Sequence, residues 1–370
     1  MVSNVKTFFR DARRTGRDWP TITESPFPDI RRTRAHRDGT MTAMEAEAHA
    51  RFRELTARRV AQVEKDPRVL DQPGFWVVAL GFEGDLTAVR FDDVRRAAPC
   101  AVSAPRKVAA EHPAVTWRSS LDRSAYVEGV AAVRNAIADG TVYQVNVCRI
   151  LEREIPVRFD LDALDHAVRQ RSSGKYGARV LVPEAGLDIV CASPELYLRR
   201  VGGQVTSGPI KGTAKTLAQM LDKDYTENVM ITDLVRNDLQ RVCRPGTVRV
   251  EGLCTPERYP GSVHLVSHVT GTLAADTPWD RLLAATFPPG SVSGAPKHTA
   301  LQMISSIEPV DREIYCGAVG YVDNRDPSDP RAELAVAIRT FWRTARTLRL
   351  GVGAGITWAS DPEGSGGRLT

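Results

Sequence analysis

The chain has 370 residues, 42% of them apolar and 26% charged, with a formal net charge of +5. That balance fits an ordinary soluble globular protein, and so small an excess of cations permits an anionic substrate without demanding nucleic acid. The six cysteines are scattered with no C-x-x-C pair, and no apolar run approaches the length of a bilayer span, which excludes a disulfide framework, a zinc cluster and a membrane helix.

In chain order, the first 70 residues read differently from the rest. "FFRDARRTGRDW" and "DIRRTRAHRDGT" are arginine-rich and weakly periodic. They suit a solvated extension better than a nucleic-acid contact, because no aromatic residues interleave the cations for base stacking. "TAMEAEAHARFRELTARRVAQVEKD" then predicts an amphipathic helix built of strong helix formers. Beyond Gly74, runs rich in Val, Ile and aromatics recur, bounded by Gly, Pro or Asp as strands are. They are VVALGF, ARVLV, LDIVCA, ELYLRR, GAVGYV, ELAVAIRTFW and TLRLGVGAGITW. Helices are expected over Arg123–Asp139, Asp160–Arg171, Leu217–Val242 and Ala295–Ile307. Several strands follow one another with no helix between, which favours an α/β (α+β) domain with antiparallel strands over a doubly wound parallel sheet. The organisation expected is an extension over 1–70 and a catalytic domain over 71–370.

Four stretches carry chemistry. In "SGPIKGTAKT", Ser207–Thr216, one lysine stands between Pro-Ile and Gly-Thr, and Lys211 is either a solvated loop charge or a buried nucleophile. In "KDYTENVMITDLVRNDL", Asp224 and Glu227 are three apart and share a helix face. They form a Mg²⁺ site or a solvated acidic face beside Lys223 and Arg236. "TFPPGSVSGAPK", Thr286–Lys297, is an irregular loop before a helix, either an anion site or a plain turn capped by Ser293. Arg339 lies in the apolar run "VAIRTFW", where burial requires an acid or a carboxylate ligand as partner. Gly351, Gly353 and Gly355 allow close backbone approach in the run that follows.

Together these blocks resemble the chorismate-utilising enzymes, closest to the aminodeoxychorismate synthase component I (para-aminobenzoate synthase component I) branch and related to anthranilate synthase component I. The matching text runs in order through YQVN (Tyr143–Asn146), ASPEL (Ala192–Leu196), PIKGT (Pro209–Thr213) and ENVMITDLVRNDL (Glu227–Leu239). It continues with HLVSHVTG, FPPGSVSGAPK, YCGAVGYV, AIRT and GAGITW. The resemblance implies a single large chorismate-binding domain of two stacked, mainly antiparallel sheets flanked by helices. It implies that Arg339 and Tyr321 hold the enolpyruvyl carboxylate. Backbone at Gly353, Ala354 and Gly355 would meet the ring carboxylate, bridged by Mg²⁺ on Glu227 with Asp224 behind it. His264, Ser291 and Thr213 would line the ring, and Ser293 and Gly294 would supply loop contacts.

By the same resemblance, Lys211 selects between branches. Anthranilate synthases typically have alanine there and aminate C2 directly, whereas a lysine attacks C2, the C4 hydroxyl leaves, and ammonia enters at C4 to expel the lysine. This needs a neutral amine, which burial favours, and Glu195 as general acid with a raised carboxyl pKa. Water-using relatives carry a lysine base where this chain has Gln144, which cannot take a proton from water. No cysteine stands in an amidotransferase G-x-C-x-G setting, so ammonia would come from a separate glutamine amidotransferase subunit. The implied setting is folate or para-aminobenzoate synthesis in the cytoplasm, with no nucleic acid and no membrane. After "GAGITWASDPE" the resemblance implies a helix with two glutamates three apart. Ser365 and Arg368 stand there instead, so the expected acidic helix reads as truncated and magnesium binding as weakened. Amination at C2, or a catalytically impaired chorismate-binding homologue, is the alternative.

Overall fold

In this computed structural model, residues 21–22, 47–96, 116–156, 159–171, 174–259 and 261–362 are described. Both arginine-rich stretches, Cys100, Ser365 and Arg368 lie outside the described residues. The described chain contains nineteen strands and five α-helices. The first strands are β1 (Thr21–Ile22), β2 (His49–Phe52), β3 (Leu55–Glu64), β4 (Phe75–Leu80), β5 (Leu86–Arg96) and β6 (Trp117–Ser119). Helix α1 (Arg123–Ala138), β7 (Gln144–Glu154), α2 (Leu161–Arg171), β8 (Ala178–Val182) and β9 (Leu187–Cys191) follow. Next come β10 (Leu196–Val201), β11 (Gln204–Gly208), β12 (Ile210–Ala214), α3 (Asp222–Gln240), β13 (Arg249–Tyr259) and β14 (Ser262–Thr272). The rest is α4 (Trp279–Thr286), β15 (Gly294–Ala295), α5 (Lys297–Ile307), β16 (Ala318–Asp323), β17 (Arg331–Val336), β18 (Thr340–Thr344) and β19 (Thr347–Ile356).

Every strand pairing among the described residues is antiparallel. One half of the sheet runs β6, β7, β19, β18, β9, β8, β2. The other runs β3, β5, β4, β16, β17, β10, β11, β14, with β12 and β13 also on β14. The two expected layers are thus halves of one hydrogen-bonded ribbon, joined where β2 pairs with β3 on one side and β8 on the other. Val77, Val78 and Val319 of one half share a core with Val147, Val180 and Ile356 of the other. FWVVAL is apolar at every position and wholly buried, as a strand covered on both faces must be. Each such Val or Phe contributes roughly 1.5–3 kcal/mol by leaving water.

Residues 49–64 are a hairpin, not the expected helix. Helix propensity is worth less than about 1 kcal/mol per residue. Pairing with β8 and β5 satisfies the backbone and buries Ala50, Phe52 and Ala57. This hairpin joins the two halves, so residues 49–64 pair within the same sheet as strands that follow residue 70. The other helices and strands fall where periodicity places them, except at two points. PIKGT is a strand edge, β12, rather than a turn, and ELAVAIRTFW breaks between β17 and β18.

Candidate active site

The break in that run is at Arg339, whose φ of +52° is left-handed. Arg339 is therefore not a strand residue, and it is exposed at its surface. Its guanidinium has no acid or hydrogen-bond partner among the described residues. Surrounding protein lowers its pKa through lost hydration, with Tyr259 opposing.

Lys211 is reached through an irregular register between β12 and β14. Gly212 has φ +82°, and a Cβ there would lie 2.8 Å from Asp224 Cβ, so glycine lets α3 pack directly on the strand. The Lys211 side chain is partly buried, and its Nζ donates to the Ser291 carbonyl at 2.8 Å. Across the cleft, a Cβ on Gly355 would stand 3.3 Å from this Nζ and 2.2 Å from Gln144 Nε2. The bare backbone of β19 thus leaves room for both side chains.

Glu195 is buried just before β10, with Ile210 N donating to its Oε1 at 3.4 Å. Burial pushes its carboxyl up to about 7, against the opposing effects of the Ser291 hydroxyl, the Lys211 charge and the Ile210 amide. A carboxyl at that value holds a proton that it can donate near neutral pH. His264 on β14 has Thr213 Oγ1 3.0 Å from Nδ1 and Ser262 Oγ 3.1 Å from Nε2. Burial first and then the Arg339 charge hold it down to about 4, so the ring is a neutral hydrogen-bonding wall. Tyr259 meets that ring edge-on at 4.8 Å between centroids.

Glu227 faces the same cleft from α3. Burial raises its pKa first, Lys211 and Lys223 oppose that, and Asp224 adds to it. Asp224 is committed at the start of α3, where its Oδ2 accepts from Leu221 N at 2.9 Å. No three His, Cys, Asp or Glu converge as a metal cage among the described residues. Mg²⁺ commonly takes one or two carboxylates and completes its shell with water and substrate oxygens. The donor set fits a magnesium ion that shares an anionic substrate, and does not fit one held by protein groups alone.

The structure thus brings together Lys211, Glu195, Ser291, Glu227 and Gly355, with Thr213, His264 and Arg339 along the same wall. Tyr321 is elsewhere: its ring stacks on Phe75 and tilts against Phe52, each at 5.2 Å. Tyr315 was not singled out by the motifs, yet its ring packs against Gly351, on the face of β19 that carries Gly355. Ser293 caps no helix. Its Oγ donates to Pro289 O at 3.0 Å, and α5 begins at Lys297. Gly294 pairs with Val145, Gly353 fits against Cys148 Sγ, and Ala354 packs on the core, so these three shape the wall from behind. Tyr259 and Ser262 carry no motif signal because their roles arise only when the β13–β14 hairpin folds.

The sequence model of the chorismate binding enzymes matches residues 37–365. The chain belongs to that family. The chain is 38% identical over 262 residues to an aminodeoxychorismate synthase of Streptomyces pristinaespiralis, a match covering 67% of the chain and 35% of that protein. It is 35% identical over 276 residues to an anthranilate synthase component 1 of Streptomyces coelicolor, covering 71% and 52%. To an aminodeoxychorismate synthase component 1 of Klebsiella aerogenes it is 30% identical over 327 residues, covering 84% and 70%. The chain spans about a third of the first of these relatives and about half of the second. Among solved structures, anthranilate synthase component I from Streptococcus pneumoniae superposes with a TM-score of 0.71 at 19% identity, covering 91% of this chain and 94% of that one. MenF, the menaquinone-specific isochorismate synthase from Escherichia coli, gives 0.67 at 17%, covering 99% and 96%. At those identities the likeness is one of fold. No helix among the described residues is long and apolar enough to cross a membrane.

Proposed function

We propose that this chorismate binding enzyme forms 4-amino-4-deoxychorismate from chorismate and ammonia, through a transient bond between Lys211 and substrate carbon C2. The observation that carries this reading is Lys211 Nζ held on the Ser291 carbonyl beside bare Gly355, with the raised carboxyl of Glu195 at hand. Arg339 takes a substrate carboxylate with its free fork, and His264 and Thr213 bound the ring. The neutral Lys211 amine bonds to C2, the ring double bond shifts, and the C4 hydroxyl departs as water with the proton of Glu195. Ammonia then bonds to C4 and Lys211 leaves C2. Because ammonia enters neutral and the product amine leaves as an ammonium, each turnover draws one proton from solvent.

Mg²⁺ would be held by Glu227, with Asp224 behind it, and when bound it neutralises the substrate's ring carboxylate. Ammonia would come from a separate glutamine amidotransferase subunit. The relatives named aminodeoxychorismate synthase support this product, and those named anthranilate synthase support the alternative, amination at C2. A product assay by mass spectrometry, on the full chain with chorismate, Mg²⁺ and ammonium, decides. The expected product is 4-amino-4-deoxychorismate, and Lys211→Ala should lower its formation by roughly a thousandfold or more. Anthranilate alone, or full activity in Lys211→Ala, would sink the proposal.

A further inference from the structure

Behind Glu195 the fold leaves a cavity of about 20 Å³, between β10 and the helices α3 and α4. That is room for a single water. The cavity's polar lining includes Glu195 with Ser291, already in the site, Ser207 on β11, and Asp238 with Tyr197 and Thr286, and Val235 and Leu239 are among its apolar lining. Val235, Asp238 and Leu239 are spaced i, i+3, i+4 and present one face of α3 to it. Asp238 is 7% exposed and its Oδ2 accepts from Lys297 Nζ at 2.6 Å. Lys297 also donates to Thr286 O at 3.0 Å, and Thr286 Oγ1 lies 2.7 Å from Tyr197 OH. Arg241 adds its charge to both partners of the pair. Nothing in the chemistry at Lys211 uses the group around Asp238. It nonetheless shares the cavity with Glu195.

Glu195 has a supply problem. It is 3% exposed, and once substrate fills the cleft, solvent does not reach it from the front. Yet under the proposed function one proton must arrive from solvent in every turnover. We propose that the cavity binds one water that bridges Glu195 to the Asp238–Lys297 pair, and that this pair returns to Glu195 the proton it gives to the departing hydroxyl. The step balances without a co-reactant. Asp238, which lines the cavity, takes a proton from Lys297 and gives one to the bridging water. The water passes one to the Glu195 carboxylate, and Lys297, whose side chain is 16% exposed, regains one from bulk water. Burial lowers the pKa of Lys297 and raises that of Asp238, which eases that transfer. Asp238 and Lys297 are then positioning and relay residues, out of contact with the substrate.

The inference rests on the proposed function, and its test separates the two. Rapid-quench assays would compare wild type, Asp238→Asn and Val235→Leu, the last adding a methylene to the cavity while leaving the ion pair intact. The expected result in both variants is a first turnover at the wild-type rate, since Glu195 starts protonated. Later turnovers would then run about tenfold slower or worse, seen as a burst of one product per site. A defect of structure alone slows first and later turnovers alike, and that result overturns the relay, as does a variant with no slowing at all. Where Asp238→Asn fails to fold, Val235→Leu decides. If wild type makes no 4-amino-4-deoxychorismate, the proposed function falls, and a high-resolution crystal structure judges the site by itself. A water within hydrogen-bond distance of both Glu195 and Asp238 supports it, and a dry cavity overturns it.

Discussion

Replacing Glu195 by Gln tests the buried acid through stability as well as rate. Glu195→Gln keeps shape and hydrogen bonding but cannot ionise. The folded carboxyl titrates at about 7 against an ordinary 4.5, so between those values the folded chain keeps a proton that the unfolded chain has released. Wild-type stability therefore falls as pH rises through that window, and it levels off above about 8. The full loss is about 3 kcal/mol, taking about 1.4 kcal/mol for each pH unit of separation. The variant escapes this loss. It should match wild type near pH 4.5 and exceed it by about 3 kcal/mol at pH 8.5, roughly 5 °C in melting temperature for a chain of this size. Thermal unfolding by circular dichroism at the two pH values reads the difference directly. The same variant should lose about a hundredfold or more in turnover as the general acid disappears. A melting difference that does not grow with pH would refute the premise that this carboxyl is desolvated and protonated.

Three further outcomes follow from the site. Arg339→Lys keeps the charge but loses the planar fork, so KM for chorismate should rise about tenfold with kcat little changed, measured by steady-state kinetics. Gly355→Ala puts a methyl where Gln144 Nε2 and Lys211 Nζ now approach, and should cut kcat/KM by about a hundredfold at a stability cost of about 1–3 kcal/mol. Glu227→Gln should raise the Mg²⁺ concentration for half-maximal activity by about tenfold or more, read by titration after chelation with EDTA.

Much of the candidate site was legible because its residues sit in contiguous motifs. Spacing placed Asp224 and Glu227 on one helix face, whereas Lys211 and Thr213 read as a turn and share a strand only because β12 pairs with β14. What spacing does not carry is which side of a strand faces a cleft. Tyr321 and Tyr315 both lie in the run YCGAVGYV, and only the pairing of β16 with β4 shows Tyr321 turning toward Phe75 instead. The hairpin at 49–64 was illegible for another reason. Its residues prefer helix locally, and the edges of β5 and β8 that recruit it come later in the chain. Arg339 reads as a strand residue because its neighbours are β-formers, whereas its left-handed backbone is imposed by the bend from β17 to β18.

The placement of β19 has a consequence for when the protein acquires a site at all. This strand inserts between β7 and β18, pairing Gly355 with Asn146 across most of the chain's length. During synthesis Glu195, Lys211 and Ser291 all leave the ribosome earlier, but the glycine wall opposite them does not exist until β19 has threaded into its slot. Such a long-range closure is slow to form. The emerging chain therefore carries Lys211 without the Gly355 backbone beside it until the last described strand is home.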